Sequence, residues 1–173
     1  MKSVEQLTRK EIVEAINKDW MTHDGMWFYH CLQAFGMEKT NQINLAAIES
    51  MTHAEVYRFK KLIQIEKETI DNLDELEHLF QRFQALFMPD FMGAYLEFKK
   101  PDRLRVGMKP DACFAYKGIK KLGAIESYQC GVLFRVDRIL KAFGLEFQRS
   151  RPLGTCFMHK EGACELDFQF TFG

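Results

Sequence analysis

The first half of the chain repeats apolar residues at the spacing of amphipathic helices, between recurring helix start signals. Segment Thr8–Glu11 has the pattern of a capping box, in which the hydroxyl and the carboxylate each satisfy a free backbone N–H. The apolar positions after it are Ile12, Val13, Ile16 and Trp20. A first helix is therefore predicted from Thr8 to about Trp20.

A second helix is predicted to begin at a cap formed by Thr22 or Asp24, since both residue types are favoured at helix N-termini. Its apolar stripe is Trp27, Phe28, Cys31 and Phe35. Gly36 ends it, because glycine adopts the left-handed conformation common just beyond a helix. The pattern thus predicts a helix–turn–helix around Asp24.

Residues 37–49 form a third, weaker helical pattern. The capping box Thr52–Glu55 then opens a long helical stretch that reaches about Met88 and is closed by Pro89. Asn72 with Glu75 is another start signal inside this stretch, so two helices that meet near Asp71 are an alternative to one.

After Pro89 the composition becomes typical of β-structure. Segments 91–99 and 103–108 are separated by Lys-Pro-Asp, which predicts a hairpin. Two helices are predicted next, one from Pro110 to Gly123 and one over residues 131–143, which Gly144 ends. Further strands are predicted at 145–149, at about 154–159 and at 164–172. In the last of them, alternate residues point inward, namely Leu166, Phe168, Phe170 and Phe172.

These patterns predict an α+β fold, with a helical segment 1–88 followed by an antiparallel segment 89–173. The second segment has the order β-β-α-α-β-β, with the helices on one face of the sheet. At 173 residues the two segments fit one structural domain.

Composition and charge exclude several classes of function. Lys and Arg together number 24, as do Asp and Glu, so the chain has no net charge that favours nucleic acid or an anionic membrane. No apolar run is long enough to span a membrane, and the N-terminus lacks a secretory signal. Five cysteines without a CxxC pair indicate reduced thiols and a cytoplasmic location.

Titratable and aromatic side chains are densest in the block Trp20–His30. One interpretation is structural, with a cap at Asp24 and core tryptophans. A second is a pocket wall formed by Trp20, His23, Asp24, Trp27 and His30. A third is catalysis, with His23 and Asp24 acting as an oriented general base.

A fourth interpretation is a metal site, in which His23 and Asp24 join His30, Glu49, His53 or Glu55. Two helical turns separate His23 from His30, about 10 Å along the axis, which is too far for one ion. The spacing therefore predicts no metal site, and nothing in the sequence names a cofactor.

Cys130 is the best chemical candidate in the second half. It directly precedes the helix predicted over residues 131–143. Free N–H groups and the positive dipole end at a helix N-terminus favour a thiolate, so a lowered pKa is expected. The alternative is a small buried residue that happens to be cysteine.

The pattern W-x-x-H-D-G-x-W-F over residues 20–28, followed by Phe35-Gly36, resembles an uncharacterised prokaryotic family with no established activity. The segment from Gly154-x-Cys156 to Cys164-x-x-x-Phe168 is similar to the closing hairpin of 4-vinyl-reductase-type small-molecule-binding domains and of the amino-thiazoline-carboxylate hydrolase-like family. These resemblances imply an α+β shell around a ligand, with cysteines near its end.

The sequence therefore favours a cytoplasmic protein that binds a small molecule between the N-terminal helices and the C-terminal sheet. One alternative is a hydrolase that uses His23 with Asp24, or Cys130. Another is a homodimeric interaction module, with the helical stretch from Thr52 as the interface.

Overall fold

The computed structural model describes residues 2–65, 69–110 and 112–173 of the chain. The helices are α1 (Arg9–Leu62), α2 (Leu73–Phe87), α3 (Phe114–Lys121), α4 (Gly131–Ala142) and α5 (Phe157–Glu161). The strands are β1 (Ala94–Lys99), β2 (Arg103–Met108), β3 (Glu146–Arg149) and β4 (Cys164–Thr171). Short 3-10 helices lie at Val4–Gln6, Asp90–Met92 and Ile125–Ser127. This architecture confirms the predicted α+β fold.

Helix α1 is a helical hairpin folded at Gly36, whose φ of 72° and ψ of 174° are not helical. Trp20 and Glu55 both contact the guanidinium of Arg135, whereas a straight helix would hold them about 50 Å apart. Residues 9–35 therefore form an N-terminal arm and residues 37–62 a C-terminal arm that returns beside it. Glycine fits this turn because other residues rarely adopt its dihedral angles.

The predicted helix boundaries are partly confirmed. The capping box at Thr8 is present, with the Glu11 N–H donating to Thr8 Oγ1 and the Thr8 N–H donating to the Glu11 carboxylate. Asn72 caps α2 by accepting the Glu75 N–H at 2.9 Å. The stretch predicted from Thr52 to about Met88 therefore contains the end of α1 and the whole of α2, which agrees with the two-helix alternative.

The helix–turn–helix predicted around Asp24 is wrong, because the N-terminal arm continues through residues 22–25. Thr22 donates its hydroxyl proton to the Lys18 carbonyl at 2.8 Å, as a residue inside a helix does. The start predicted at Thr52 is wrong for the same reason, since Thr52 Oγ1 donates to the Ile48 carbonyl. Ser, Thr and Asp serve as caps or sit inside helices, and local sequence does not separate the two cases.

Replacing Gly25 with alanine is expected to raise the free energy of unfolding by about 1 kcal/mol, because Gly25 lies inside a helix and glycine is a poor helix former. A β-carbon at Gly25 would meet no atom within 4 Å. Gly36→Ala is the comparison variant. It should lower the free energy of unfolding by about 1–3 kcal/mol, because alanine rarely adopts the positive φ that position 36 has. Urea unfolding followed by circular dichroism measures both, and destabilisation by Gly25→Ala would place a turn there instead.

The four strands form one antiparallel sheet in the order β1-β2-β4-β3. Buried residues of β2 and β4 face each other in register, as in the pairs Val106–Leu166 and Leu104–Phe168. The inward alternation predicted for residues 166, 168 and 170 is confirmed, because all three side chains are buried. The opposite face carries polar contacts such as Arg105 with Asp167, whose side chains meet at 2.7 Å.

The strand predicted at about 154–159 is wrong, because Cys156 caps the short helix α5 instead. Glycine and polar residues surround this segment, and it lacks the alternation of apolar and polar residues that predicted β4. The hairpin around Lys-Pro-Asp is confirmed by the pairing of β1 with β2. The helices predicted to begin near residues 110 and 131 correspond to α3 and α4.

The core joins helical and sheet residues. Its densest part is a cluster of phenylalanines from α1, α2 and the end of α4, namely Phe59, Phe80, Phe83, Phe87 and Phe143. Among the described residues, no helix combines the length and apolar character needed to cross a membrane.

Candidate functional site

A cavity of about 610 Å³ lies between the two arms of α1, helices α3 and α4, and the neighbouring ends of β1 and β2. Its wall is mainly apolar. Five of the nine methionines line it, namely Met26, Met51, Met88, Met92 and Met108. This volume is within the range of small-molecule sites, and methionine side chains adapt to irregular ligand shapes.

The reversal at Gly36 creates this cavity. It places Trp20, Asp24 and Phe28 of the N-terminal arm opposite residues 44–51 of the C-terminal arm. Each of these three residues is four positions from the next, so they lie along one side of their helix. The Phe28 ring also packs edge-on against the Tyr128 ring, with centroids 5.9 Å apart, and this contact joins α1 to the segment before α4.

Arg135 of α4 lines the cavity and forms a largely buried ion pair with Glu55 of α1, which lies outside the cavity wall. Arg135 Nη2 donates to Glu55 Oε1 at 2.5 Å, and these side chains are 15% and 10% exposed. The guanidinium carbon also lies 4.8 Å from the Trp20 ring centroid, which is a cation–π contact. Arg135 therefore fixes both arms of the hairpin against α4.

Asp24 lies on the rim of the cavity, where its side chain keeps contact with solvent. Desolvation by the surrounding protein raises the pKa of the Asp24 carboxyl, while the charges of Arg135 and His23 act in the opposite direction. The carboxyl group makes no hydrogen bond to any described residue. It is therefore a solvent-accessible acidic group at the opening, without a partner among the described residues.

A second polar region lies deeper, beside the N-terminus of α4. Tyr128 is 5% exposed, and its oxygen accepts the Gly131 N–H at 3.0 Å. Asn44 from the C-terminal arm approaches the same place, since its Nδ2 lies 2.9 Å from where a β-carbon of Gly131 would be. Glycine at position 131 thus allows this close packing. All three residues line the cavity.

The structure separates the residues of the block Trp20–His30. Trp20 and Asp24 line the cavity, whereas His23, Trp27 and His30 lie outside its wall. His23 and His30 are exposed, and Trp27 is 59% exposed, so the expectation that Trp27 is a core residue is wrong. The continuous helix explains this result, because it fixes which side of the N-terminal arm faces the protein.

The predicted general-base arrangement has little geometric support. His23 forms no hydrogen bond with any described residue, and it interacts with Asp24 only through its charge. A general base needs an orienting hydrogen bond and a reactive group within reach. Neither is present around His23 in the described part of the chain.

The candidate metal ligands are also dispersed. Glu55 is paired with Arg135, and Glu49 lies near His53 and Arg138. Within residues 2–65, 69–110 and 112–173, no group of three His, Cys, Asp or Glu side chains is arranged to hold a metal ion.

Cys130 directly precedes α4, as predicted, at its N-cap position, yet its thiol is not activated. Burial raises the pKa of Cys130 to about 12, and this outweighs the hydrogen bonds from the backbone of Leu133 and Val132. The expected lowering of its pKa is therefore wrong. Cys130 also lies outside the cavity wall, although its neighbour Gly131 belongs to it.

Most of the cavity lining is not predictable from the sequence. Asn44, Met51, Tyr128 and Arg135 come from separate segments and share no local motif. The content of nine methionines was the one available signal.

The family match found for this chain covers mainly its helical half. A model described as a family of unknown function (DUF6125) matches residues 2–91, which include both arms of α1 and helix α2. No curated protein and no solved structure matches the chain. The match ends before β1, so it does not address the resemblance of the C-terminal hairpin.

Proposed function

Because the chain belongs to this family of unknown function, we propose a function from the cavity itself: the protein binds a small, mainly apolar organic molecule between the α1 hairpin and helices α3 and α4. The observation that carries this proposal is the 610 Å³ space with a predominantly apolar wall. Sites that bury organic ligands combine such a wall with a few polar groups.

The form of the wall supports a ligand that is held mainly by apolar contacts. Methionines surround the space, while Trp20 and Phe28 add flat aromatic surface on one side. Polar atoms are confined to a few places, including Asp24 at the rim and Asn44 deeper inside. We place this binding protein in the cytoplasm, since its five cysteines are all unpaired.

The cavity can be tested with diphenylhexatriene, a hydrocarbon whose fluorescence increases in apolar surroundings. Wild-type protein should bind it. Ala47→Phe should weaken binding at least tenfold, because Ala47 lines the cavity and a larger side chain would occupy the ligand's space. Ala115→Phe should act similarly from α3. Fluorescence titration measures all three affinities.

The matched control is Ala46→Phe, one residue away on the same arm. Ala46 and Ala47 are both exposed, but only Ala47 lines the cavity. The control should bind the probe as wild type does. Equal binding of the probe by all variants, or no binding by wild type, would contradict the proposal. Native mass spectrometry of freshly purified protein is a second measurement, which would reveal a ligand that already fills the site.

The homodimer alternative has one observation in its favour. Tyr57 and Leu62 are 68% and 67% exposed near the end of the C-terminal arm, within the stretch that begins at Thr52. Sedimentation velocity separates the two functions, because an interaction module requires a stable dimer and a binding protein does not.

A further inference from the structure

We propose that the ligand is a neutral molecule that carries a hydroxyl or carbonyl oxygen on its apolar body, and that Asn44 and Tyr128 bind this oxygen. This inference rests on the proposed function, because it describes the chemistry of a ligand in the same cavity. It excludes carboxylates and amines as preferred ligands.

The two polar side chains converge on one place in the wall. Asn44 Nδ2 lies 2.9 Å, and the Tyr128 hydroxyl oxygen 3.5 Å, from the position that a β-carbon of Gly131 would take. Asn44 comes from α1 and Tyr128 from the segment before α4, so folding brings them together. Ile48 Cδ1 lies 2.8 Å from the same position, so the position itself is filled. A ligand oxygen on its cavity side has the two hydrogen-bonding groups within reach.

Both side chains retain hydrogen-bonding capacity. The Tyr128 oxygen accepts the Gly131 N–H, but its own proton has no acceptor among the described residues. Burial raises the pKa of Tyr128 well above its ordinary value, so the hydroxyl keeps that proton. The Asn44 amide makes no hydrogen bond with the described part of the chain. Asn44 is partly buried, whereas the Tyr128 hydroxyl proton is buried without an acceptor, which is costly, and a ligand oxygen would accept it.

The charges around the cavity favour a neutral ligand. Arg135 is the nearest cation on α4, one helical turn beyond Gly131, and Glu55 already neutralises it. Asp24 at the rim would repel a carboxylate. The other cation in the wall, Lys121, is exposed to solvent. An anion or an ammonium group buried beside Asn44 would therefore lack a compensating charge, since Glu55 is paired with Arg135 and Asp24 lies at the rim.

Three probes with the same ten-carbon chain test this specificity by displacing diphenylhexatriene: 1-decanol, decanoate and decylammonium. At pH 7, decanol should bind at least tenfold more tightly than either charged probe. Asn44→Leu and Tyr128→Phe should each weaken decanol binding about fivefold, the effect of one hydrogen bond, while diphenylhexatriene binds each variant as it binds wild type.

Tyr57→Phe is the matched control, because Tyr57 lies on the same arm as Asn44 but is 68% exposed and lies outside the cavity wall. It should leave decanol affinity unchanged. The inference is overturned if decanoate or decylammonium binds as tightly as decanol, or if Asn44→Leu leaves decanol affinity unchanged. Failure of diphenylhexatriene to bind wild type would instead overturn the proposed function, so the two failures are distinguishable.

Discussion

Glu55→Ala is expected to lower the free energy of unfolding by about 3–5 kcal/mol. The variant leaves the Arg135 guanidinium in a largely buried position without its carboxylate partner. It also removes a link between the C-terminal arm and α4. Urea unfolding followed by circular dichroism measures the change.

The double variant Glu55→Leu/Arg135→Met identifies the cause. Glu55 Oε2 and Arg135 Nε are buried without hydrogen-bond partners in the described residues, so this pair is incompletely satisfied. Replacing both charges with apolar side chains should therefore restore stability to within about 1 kcal/mol of wild type. If the stability lost in the double variant equals the sum of the losses in Glu55→Leu and Arg135→Met, lost packing is responsible, and not an uncompensated charge.

Glu49→Ala is the control on the same arm. Glu49 pairs with Arg138 at 3.2 Å, but its side chain is 41% exposed. Because solvent screens exposed ion pairs, this variant should cost at most about 1 kcal/mol. A loss as large as that of Glu55→Ala would contradict the role assigned to burial.

Phe83→Ala is expected to cost about 3–5 kcal/mol, because it removes a fully buried ring and leaves a cavity. The Phe83 ring contacts four other phenylalanines, with centroids 4.8 Å from Phe87 and 5.1 Å from Phe59. These contacts join α2 to the C-terminal arm of α1. The same urea experiment measures the loss.

Phe35→Ala provides the comparison, since Phe35 is 62% exposed at the turn of the hairpin. Its removal should change the free energy of unfolding by less than about 0.5 kcal/mol. Similar losses at both positions would mean that Phe83 does not have the central packing role described.

Helix boundaries show where local sequence was sufficient. The start predicted at Thr8 is confirmed, and of the two alternatives left open at Asn72 the structure has the separate helix that begins there. Gly36 was predicted as a helix end because glycine is common just beyond a helix, and its positive φ in the structure confirms that prediction. The signals at Asp24 and Thr52 were similar in sequence, yet both residues lie inside α1.

The candidate site was less predictable than the fold. A wall formed partly by Trp20 and Asp24 follows from their position on the N-terminal arm. His23, Trp27 and His30 were expected beside them because titratable and aromatic residues are dense in the block Trp20–His30. The N-terminal arm is a continuous helix, so helical periodicity places these three residues outside the wall.

The sequence by itself determined the fold class, the helix end at Gly36 and the inward face of β4, because each depends on residues close together in the chain. Only the tertiary structure decided the cavity, the pairing of Arg135 with Glu55 and the meeting of Asn44 with Tyr128. The residues of these pairs are 80 or more positions apart, and no local periodicity relates them. Burial likewise reversed the pKa expected for Cys130, since desolvation depends on everything packed around the thiol.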